Sequence, residues 1–205
     1  MLNIKKILAV LFRKPISLYQ LNTYDAHQPV KVIIGSGYTH YKGWIHTDID
    51  TFNILKKDNW DKYFKASSID RLLAEHVWEH LTEQEAKLAF EHCFAYLKPG
   101  GALRIAIPDG FHPDPAYIDR VRPGGTGDGA DDHKVLYNYK LLTEWLKAAG
   151  FEIQLLEYFD EEGNFQCQPW SSEQGYIKRS AENDARNAGG KLVYTSLIVD
   201  AVKPM

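Results

Sequence analysis

Residues 30–50 read Val-Lys-Val-Ile-Ile-Gly-Ser-Gly-Tyr-Thr-His-Tyr-Lys-Gly-Trp-Ile-His-Thr-Asp-Ile-Asp. The first five residues are mostly β-branched and apolar, do not alternate with polar residues, and stop at Gly35-Ser36-Gly37. Such a run is typical of a strand that is buried on both faces of a parallel sheet. A second apolar segment, Trp44-Ile45, leads into Asp48. The stretch therefore predicts two strands of an α/β sheet. The first is followed by the glycine turn and the second by Asp48, and both are suited to binding a ligand.

The residues after the two strands favour a nucleotide-type ligand. Glycine lets the backbone approach a ligand at a distance where a Cβ atom would clash. A carboxylate such as Asp48 can accept hydrogen bonds from a ribose diol. The pattern predicts a pocket at the carboxyl edge of the sheet.

The spacing argues against a dinucleotide fold. The third glycine of that fingerprint is replaced by His40, and Asp48 follows Gly35 by 13 residues instead of roughly 20. The connection is also shorter than a crossover helix requires. We expect at most one or two helical turns between the strands.

Composition narrows the class of protein. The chain has 205 residues, of which 44% are hydrophobic and 25% charged, as in one globular domain spanning 1–205. A net charge of −3 gives no overall positive field to attract nucleic acid, so we expect no nucleic-acid partner. Cys93 and Cys167 are too few for a disulfide framework and indicate a cytoplasmic, reducing setting.

The first 15 residues predict a leader helix. Pro15 is expected to end it, and one face carries Ile4, Ile7, Leu8, Leu11 and Phe12. We expect this face to pack on the domain. The alternative is a weak contact of residues 2–13 with the inner surface of a membrane.

The remaining pattern alternates strands and helices. Thr82 and Glu85 form a capping box at the start of a helix that ends before Pro99-Gly100-Gly101. A second helix is expected at 137–149. Strands are predicted at 69–74, 102–108, 151–159 and 192–202, with a short one near Tyr63-Phe64, and residues 16–29 are expected to be irregular.

Two segments are expected outside this pattern. Residues 110–133 contain three prolines and five glycines and follow a strand directly, which favours a lid over the pocket. Residues 160–191 form an insert between the last two strands, for which the sequence suggests no role.

Taken in order, these segments resemble the class I S-adenosylmethionine-dependent methyltransferases, and especially the small bacterial predicted methyltransferases. The matching segments are Ile-Ile-Gly-Ser-Gly with Gly-Trp-Ile-His-Thr-Asp-Ile, Ala-Glu-His-Val-Trp-Glu-His-Leu, Tyr-Leu-Lys-Pro-Gly-Gly-Ala-Leu-Arg-Ile-Ala-Ile-Pro-Asp, and the two closing strands. The resemblance implies a Rossmann-like three-layer α/β sandwich, with a mostly parallel sheet and an antiparallel last strand.

The resemblance also implies a cofactor, S-adenosyl-L-methionine. The residues that it assigns to the cofactor are Gly35, Ser36, Gly37, Asp48, Ser67, Glu75 and His76. The glycines would lie against the methionyl part and ribose, and Asp48 would bind the ribose hydroxyls. Ser67 would lie by the adenine, where the family often has an acidic residue. Glu75 and His76 would face the sulfonium.

The implied reaction is methyl transfer to a small-molecule or saccharide acceptor. A sulfonium donor is already activated, so a base is needed only for a weakly acidic acceptor. Asp109, His112 and His133 follow strands or lie in the 110–133 segment, and we take them as candidate bases. Asp109 could equally cap its own loop.

Other classes stay open. His76-Val-Trp-Glu79-His80 matches the His-x-x-Glu-His pattern of a zinc peptidase family, but that chemistry needs these residues on a helix. We expect the helix to begin only at Thr82, and we predict no metal ligand. A nucleotide-binding module without activity, a nicotinamide-dependent oxidoreductase and a zinc hydrolase are the alternatives.

Overall fold

The structure is a computed structural model that describes residues 4–190 and 192–205, with side chains from residue 12 onward. The strands are β1 (Lys31–Ile34), β2 (Ile45–His46), β3 (Ile69–Glu75), β4 (Leu97–Pro108), β5 (Glu152–Phe159), β6 (Phe165–Cys167) and β7 (Ser196–Val202). The helices are α1 (Ile4–Thr23), α2 (Lys57–Tyr63), α3 (Glu83–Tyr96), α4 (Pro115–Val121) and α5 (Tyr139–Ala148).

The seven strands form one sheet in the order β2-β1-β3-β4-β7-β5-β6. Strands β1 to β4 are parallel, β7 runs antiparallel to both β4 and β5, and β6 pairs with β5 as an antiparallel hairpin. The predicted Rossmann-like sheet with an antiparallel last strand is confirmed. Since the chain moves outward from β1 to β2 and then returns to β3 on the other side, the β1/β3 carboxyl ends form the crevice where such sheets bind ligands.

The central strands are buried on both faces, as the apolar run after residue 29 predicts. Val32 lies opposite Leu72, and Ile33 opposite Leu73, all at most 3% exposed. One face packs against α2, α3 and α5. On the other face, Ile177 of the 160–191 insert packs against Ile33 and Leu73.

The prediction that Pro15 ends the first helix is wrong, because α1 continues to Thr23 with Pro15 inside it. The second half of α1 binds the edge of the sheet: Gln20 accepts a hydrogen bond from the backbone N–H of His46 at 3.0 Å, and Leu21 is 2% exposed. These contacts offset the hydrogen bond that proline removes. They also cover an edge strand that would otherwise be open to pairing.

The predicted packing face of the leader helix is only partly described. The side chains of Ile4, Ile7, Leu8 and Leu11 lie outside the described residues, and Phe12 is 55% exposed. Among the described residues, no helix is both long and apolar enough to cross a membrane.

The predicted short strand near Tyr63-Phe64 is also wrong. Residues 57–63 form α2, in which Trp60 is fully buried. The ring of Trp60 stacks on Tyr96 of α3 at 4.9 Å and contacts Phe52 edge-on at 4.7 Å. Aromatic packing at helical spacing therefore overrides the β propensity of the Tyr-Phe pair.

The 110–133 segment is folded onto the domain. It contains α4, whose Tyr117 is fully buried and receives the backbone N–H of Asp109 at its hydroxyl. A 3-10 turn at Ala130–Asp132 follows. The regular structure in this proline- and glycine-rich segment is short, since α4 has 7 residues.

Candidate active site

The turn after β1 requires glycine at its first position. Gly35 has φ of +63°, and a Cβ atom there would lie 2.5 Å from Cγ2 of Val77. Gly37 has φ of +54° but has open space around it. Ser36 donates its backbone N–H to the carbonyl of Thr47 at 2.8 Å, which ties the turn to the segment after β2.

The turn and Asp48 are in direct contact. Oδ2 of Asp48 accepts the backbone N–H of Gly37 at 3.1 Å, and Oδ1 accepts that of Ile49 at 2.8 Å. Oδ2 also accepts Nη1 of Arg13 in α1, at 2.8 Å. The predicted pair of bare backbone and carboxylate is therefore assembled at one place.

Glu75 and His76 end β3 beside the turn. The Glu75 carboxylate accepts the backbone N–H groups of Lys178 and Arg179, at 3.1 and 2.8 Å. Sequence reasoning missed both of these insert residues, since no local pattern links them to β3. His76 has φ of +57°, a conformation that costs energy in a non-glycine residue and that often marks functional sites.

Two cavities lie on either side of Gly35. The first, of about 370 Å³, is lined by Ile33, Gly35, Ser36, Gly37, Tyr38, Thr39, Tyr41, Leu73, Glu75, His76, Lys178 and Arg179. The second, of about 280 Å³, is lined by Ile34, Gly35, Asp48, Ile49, Phe52, Asn53, Ile54, Leu55, His76, Val77, His80 and Leu81. Both touch Gly35 and His76, so the turn separates a polar compartment from a more apolar one.

The structure does not bring Ser67 to these cavities. Ser67 precedes β3 at the amino end of the strand, where its N–H is bonded to the carbonyl of Ala95 and its hydroxyl lies 3.3 Å from Nζ of Lys203. A place beside the adenine would require a strand near residues 63–64 that ends at Ser67, but residues 57–63 form α2 instead. The apolar wall next to Asp48 instead includes Ile49, which is 73% exposed.

Asp109 is fully buried and lines neither cavity. Its two carboxylate oxygens accept the backbone N–H groups of Phe111 and Phe159, at 2.9 and 2.7 Å. Burial raises the pKa of Asp109 to about 6, although these amides act in the other direction. The geometry matches the capping role that the sequence left open.

His112 is likewise away from the two cavities. Its Nδ1 accepts the N–H of Asp114 at 3.1 Å, and its ring stacks on Tyr117 at 3.9 Å. Burial lowers the pKa of His112. It lines a separate surface depression with Arg122 and neighbouring residues of α4.

His133 is the one candidate base that lies near the pocket. Its ring is 4.8 Å from that of His80, which lines the second cavity. Glu79, which is 1% exposed, has a carboxylate oxygen within 4.8 Å of a ring nitrogen of each of these two histidines. Burial acts to raise the pKa of Glu79, but the adjacent His76 outweighs it and holds the pKa below its usual value.

His76 connects two further side chains. Its Nδ1 lies 2.9 Å from Oε1 of Glu79, and its Nε2 lies 3.0 Å from the hydroxyl of Ser196 at the start of β7. These contacts hold the imidazole in one orientation at the wall shared by the two cavities.

Comparison with known proteins gives a likeness in fold only. No family model matches the chain, and no curated protein matches it in sequence. A chain of the Haloferax volcanii complex between the Trm112 methyltransferase activator and a methyltransferase is 12% identical, with 98% of this chain and 97% of that chain covered and a TM-score of 0.51.

Two S-adenosylmethionine-dependent methyltransferases are also similar. The one from Thermotoga maritima is 14% identical over 97% of this chain and 93% of its own, with a TM-score of 0.49. The one from Archaeoglobus fulgidus is 14% identical over 97% and 94%, with a TM-score of 0.48. The fold that the sequence resemblance implies is confirmed by the observed sheet order and by the Haloferax volcanii match.

Proposed function

We propose that this chain is an S-adenosylmethionine-dependent methyltransferase that acts on a small-molecule or saccharide acceptor. One observation carries the proposal: the Gly35–Gly37 turn is hydrogen-bonded to Asp48 between two cavities, at the carboxyl ends of β1 and β3. Ligands of open α/β sheets bind at this position.

The two cavities fit the two ends of the donor. The nucleoside lies in the second cavity, where Asp48 accepts the ribose hydroxyls and Ile49 and Phe52 offer apolar surface to the adenine. The methionyl end passes over the glycine turn into the first cavity, beside Glu75. Ser67 has no part in this arrangement.

The polar lining of the first cavity supports a hydroxylated or charged acceptor. Tyr38, Thr39 and Tyr41 bring hydroxyl groups to it, and Lys178 and Arg179 bring cations. The reaction then depends mainly on alignment of the acceptor atom, the methyl carbon and the sulfur. Asp109 and His112 lie elsewhere, so neither serves as its base.

Isothermal titration with S-adenosylhomocysteine tests the proposal. We expect saturable 1:1 binding, weakened about 10-fold or more by Asp48→Ala, because hydrogen bonds to a carboxylate are lost. Asp50→Ala is the matched control. Asp50 also contacts Arg13, at 3.3 Å, but lines neither cavity.

Two results would contradict the assignment. One is the absence of saturable binding, and the other is an Asp48→Ala affinity equal to that of Asp50→Ala. Product analysis with labelled donor and a panel of hydroxylated acceptors then tests turnover.

A further inference from the structure

Glu79, His80 and His133 form a cluster beside the second cavity. Each offers one carboxylate oxygen or ring nitrogen, and these atoms all lie within 4.8 Å of one another. Glu79 and His80 belong to the 3-10 turn after β3, and His133 follows the 3-10 turn at Ala130–Asp132. The carbonyl of Glu79 accepts the backbone N–H of Lys134 at 2.6 Å, which fixes the two turns side by side.

The outer nitrogens of both imidazoles are already engaged. Nδ1 of His80 lies 3.3 Å from Oδ2 of Asp132, and Nδ1 of His133 lies 2.7 Å from the carbonyl of Val121. In the described part of the chain, Nε2 is therefore the nitrogen of each ring that remains available to an ion. Histidines that bind metals in proteins are held in this way, with the second nitrogen on a carboxylate or a backbone carbonyl.

The carboxylate of Glu79 lacks the hydrogen bonds that its burial demands. Within the described part of the chain, no donor meets hydrogen-bond geometry at either oxygen. Oε1 has the 2.9 Å contact with Nδ1 of His76 described above, which lowers the pKa of Glu79 despite its burial but leaves Oε2 without a partner in that part of the chain. A buried and incompletely satisfied carboxylate is costly, and its cost falls when a cation binds to it.

The donor set discriminates among cations. Two imidazole nitrogens and one carboxylate oxygen suit Zn²⁺ and other first-row divalent ions, whereas Mg²⁺ and Ca²⁺ prefer oxygen ligands alone. Ligands about 2.0–2.2 Å from zinc lie roughly 3.3 Å apart. To close around an ion, the ligand atoms must therefore approach one another by up to about 1.5 Å.

We propose that Glu79, His80 and His133 form a binding site for a divalent transition-metal ion of the Zn²⁺ type. Three protein ligands leave coordination positions for water or for an oxygen of a bound molecule, and His80 places the ion at the wall of the second cavity. An oxygen held there has a lowered pKa. His133 is then a metal ligand and not a base, and the prediction of no metal ligand is revised.

Co²⁺ titration of the chelator-treated, untagged protein tests this site without any donor or acceptor. We expect a visible d–d absorption that saturates at one equivalent and is reversed by Zn²⁺. His133→Ala should weaken Co²⁺ binding at least 100-fold. Asp132→Asn, which removes the charge of the carboxylate beside His80 and Lys134, should weaken it about 10-fold.

His40→Ala is the matched control, because His40 and His46 form a comparable ring pair at 4.6 Å. It should leave the spectrum and its midpoint unchanged. Thermal unfolding gives a second readout: Zn²⁺ should raise the Tm of the wild-type protein but not that of His133→Ala.

The proposal is overturned if Co²⁺ binds equally well to wild type and His133→Ala, if His40→Ala abolishes the signal, or if no saturable binding occurs. These results are independent of S-adenosylhomocysteine titration. A protein that binds metal but no nucleoside would refute the proposed function alone, and the reverse result would refute only the metal site.

Discussion

Arg13 of α1 and Asp48 after β2 form an ion pair at 2.8 Å between segments 35 residues apart in sequence. Asp48 is the carboxylate that the proposed function assigns to the ribose hydroxyls. The same oxygen, Oδ2, already accepts the N–H of Gly37. Helix α1 therefore contacts the candidate nucleoside site directly, through a cation.

Removing this cation should strengthen nucleoside binding. Arg13 occupies one acceptor position of Asp48, so we expect Arg13→Ala to raise the affinity for S-adenosylhomocysteine by about 2- to 5-fold, the range of a partly exposed ion pair. Titration calorimetry measures the change, with Lys14→Ala as the control. A lower affinity in Arg13→Ala would instead mean that Arg13 contacts the bound nucleoside.

The two glycines of the turn should respond differently to a methyl group. Gly35→Ala combines a left-handed backbone with the close approach of Val77, and we expect it to lower the free energy of unfolding by about 2–4 kcal/mol. Gly37→Ala meets no neighbour and should cost about 1–2 kcal/mol.

Urea unfolding of both variants measures this difference. Val77→Ala in the Gly35→Ala background should recover the steric part of the loss. Equal losses in the two single variants would show that contact with Val77 does not determine the choice of glycine.

His46 should make the fold sensitive to acid. Its Nε2 accepts the backbone N–H of Tyr41 at 2.8 Å, and its Nδ1 lies 3.0 Å from Oε1 of Gln20, so the ring is neutral and protonated on Nδ1. Burial, with a smaller effect of His40, lowers the pKa of His46 to about 4. Adding a proton at Nε2 would break the bond to Tyr41.

Stability should therefore fall as the pH decreases from about 6.5 to about 4. In that window the unfolded chain binds a proton that the folded chain does not, while above it the stabilisation is complete. The loss reaches up to about 3 kcal/mol. Urea unfolding at several pH values gives the free energy of unfolding as a function of pH. This profile should be flatter for His46→Gln than for wild type, whereas the profile of His27→Gln should match that of wild type. Identical profiles for wild type and His46→Gln would contradict this.

Arg104 should hold the 160–191 insert in its folded conformation. This buried side chain of β4 makes two hydrogen bonds of 2.7 Å to Asp200 of β7, and its Nη1 donates to the carbonyls of Ser171 and Gly175. Arg104→Met leaves Asp200 buried and unpaired, which should cost about 3–5 kcal/mol.

The double variant Arg104→Met/Asp200→Leu separates the two roles of Arg104. It should regain much of the stability, because no unpaired charge remains, but limited proteolysis should still cleave residues 160–190 faster than in wild type. If the double variant resists the protease as wild type does, Arg104 does not hold the insert.

The parts of the fold that could be predicted are those with local signals. The β1 run, the capping box of Thr82 and Glu85 and the glycine after α5 each carry a short-range pattern, and the structure has the corresponding elements. Helices α1 and α2 depend instead on contacts with distant residues. Gln20 binds β2 and Trp60 packs on Tyr96, and neither contact is visible in a window of sequence.

The same distinction applies to the candidate site. Gly35, Asp48, Glu75 and His76 follow strands whose carboxyl ends meet, so the sequence could bring them together. The sequence does not indicate the hydrogen bonds that Arg13 makes to Asp48 or that Lys178 and Arg179 make to Glu75. Each of these bonds joins residues more than 30 positions apart in the sequence. Glu79 and His133 come from two separate 3-10 turns. The His-x-x-Glu-His pattern predicts a metal site only where its own residues share one helix, so it does not point to His133.

The central position of β7 has a consequence for synthesis on the ribosome. Strands β4 and β5 are synthesised before β7, which pairs with both of them and is the last of the seven strands in the chain. Until residue 202 has been translated, both strands keep unpaired edges, and Ser196 and the Lys178–Arg179 wall are not yet in place. The nascent chain can therefore complete neither its sheet nor its pocket before β7 has been made, and its unpaired strand edges favour aggregation until then.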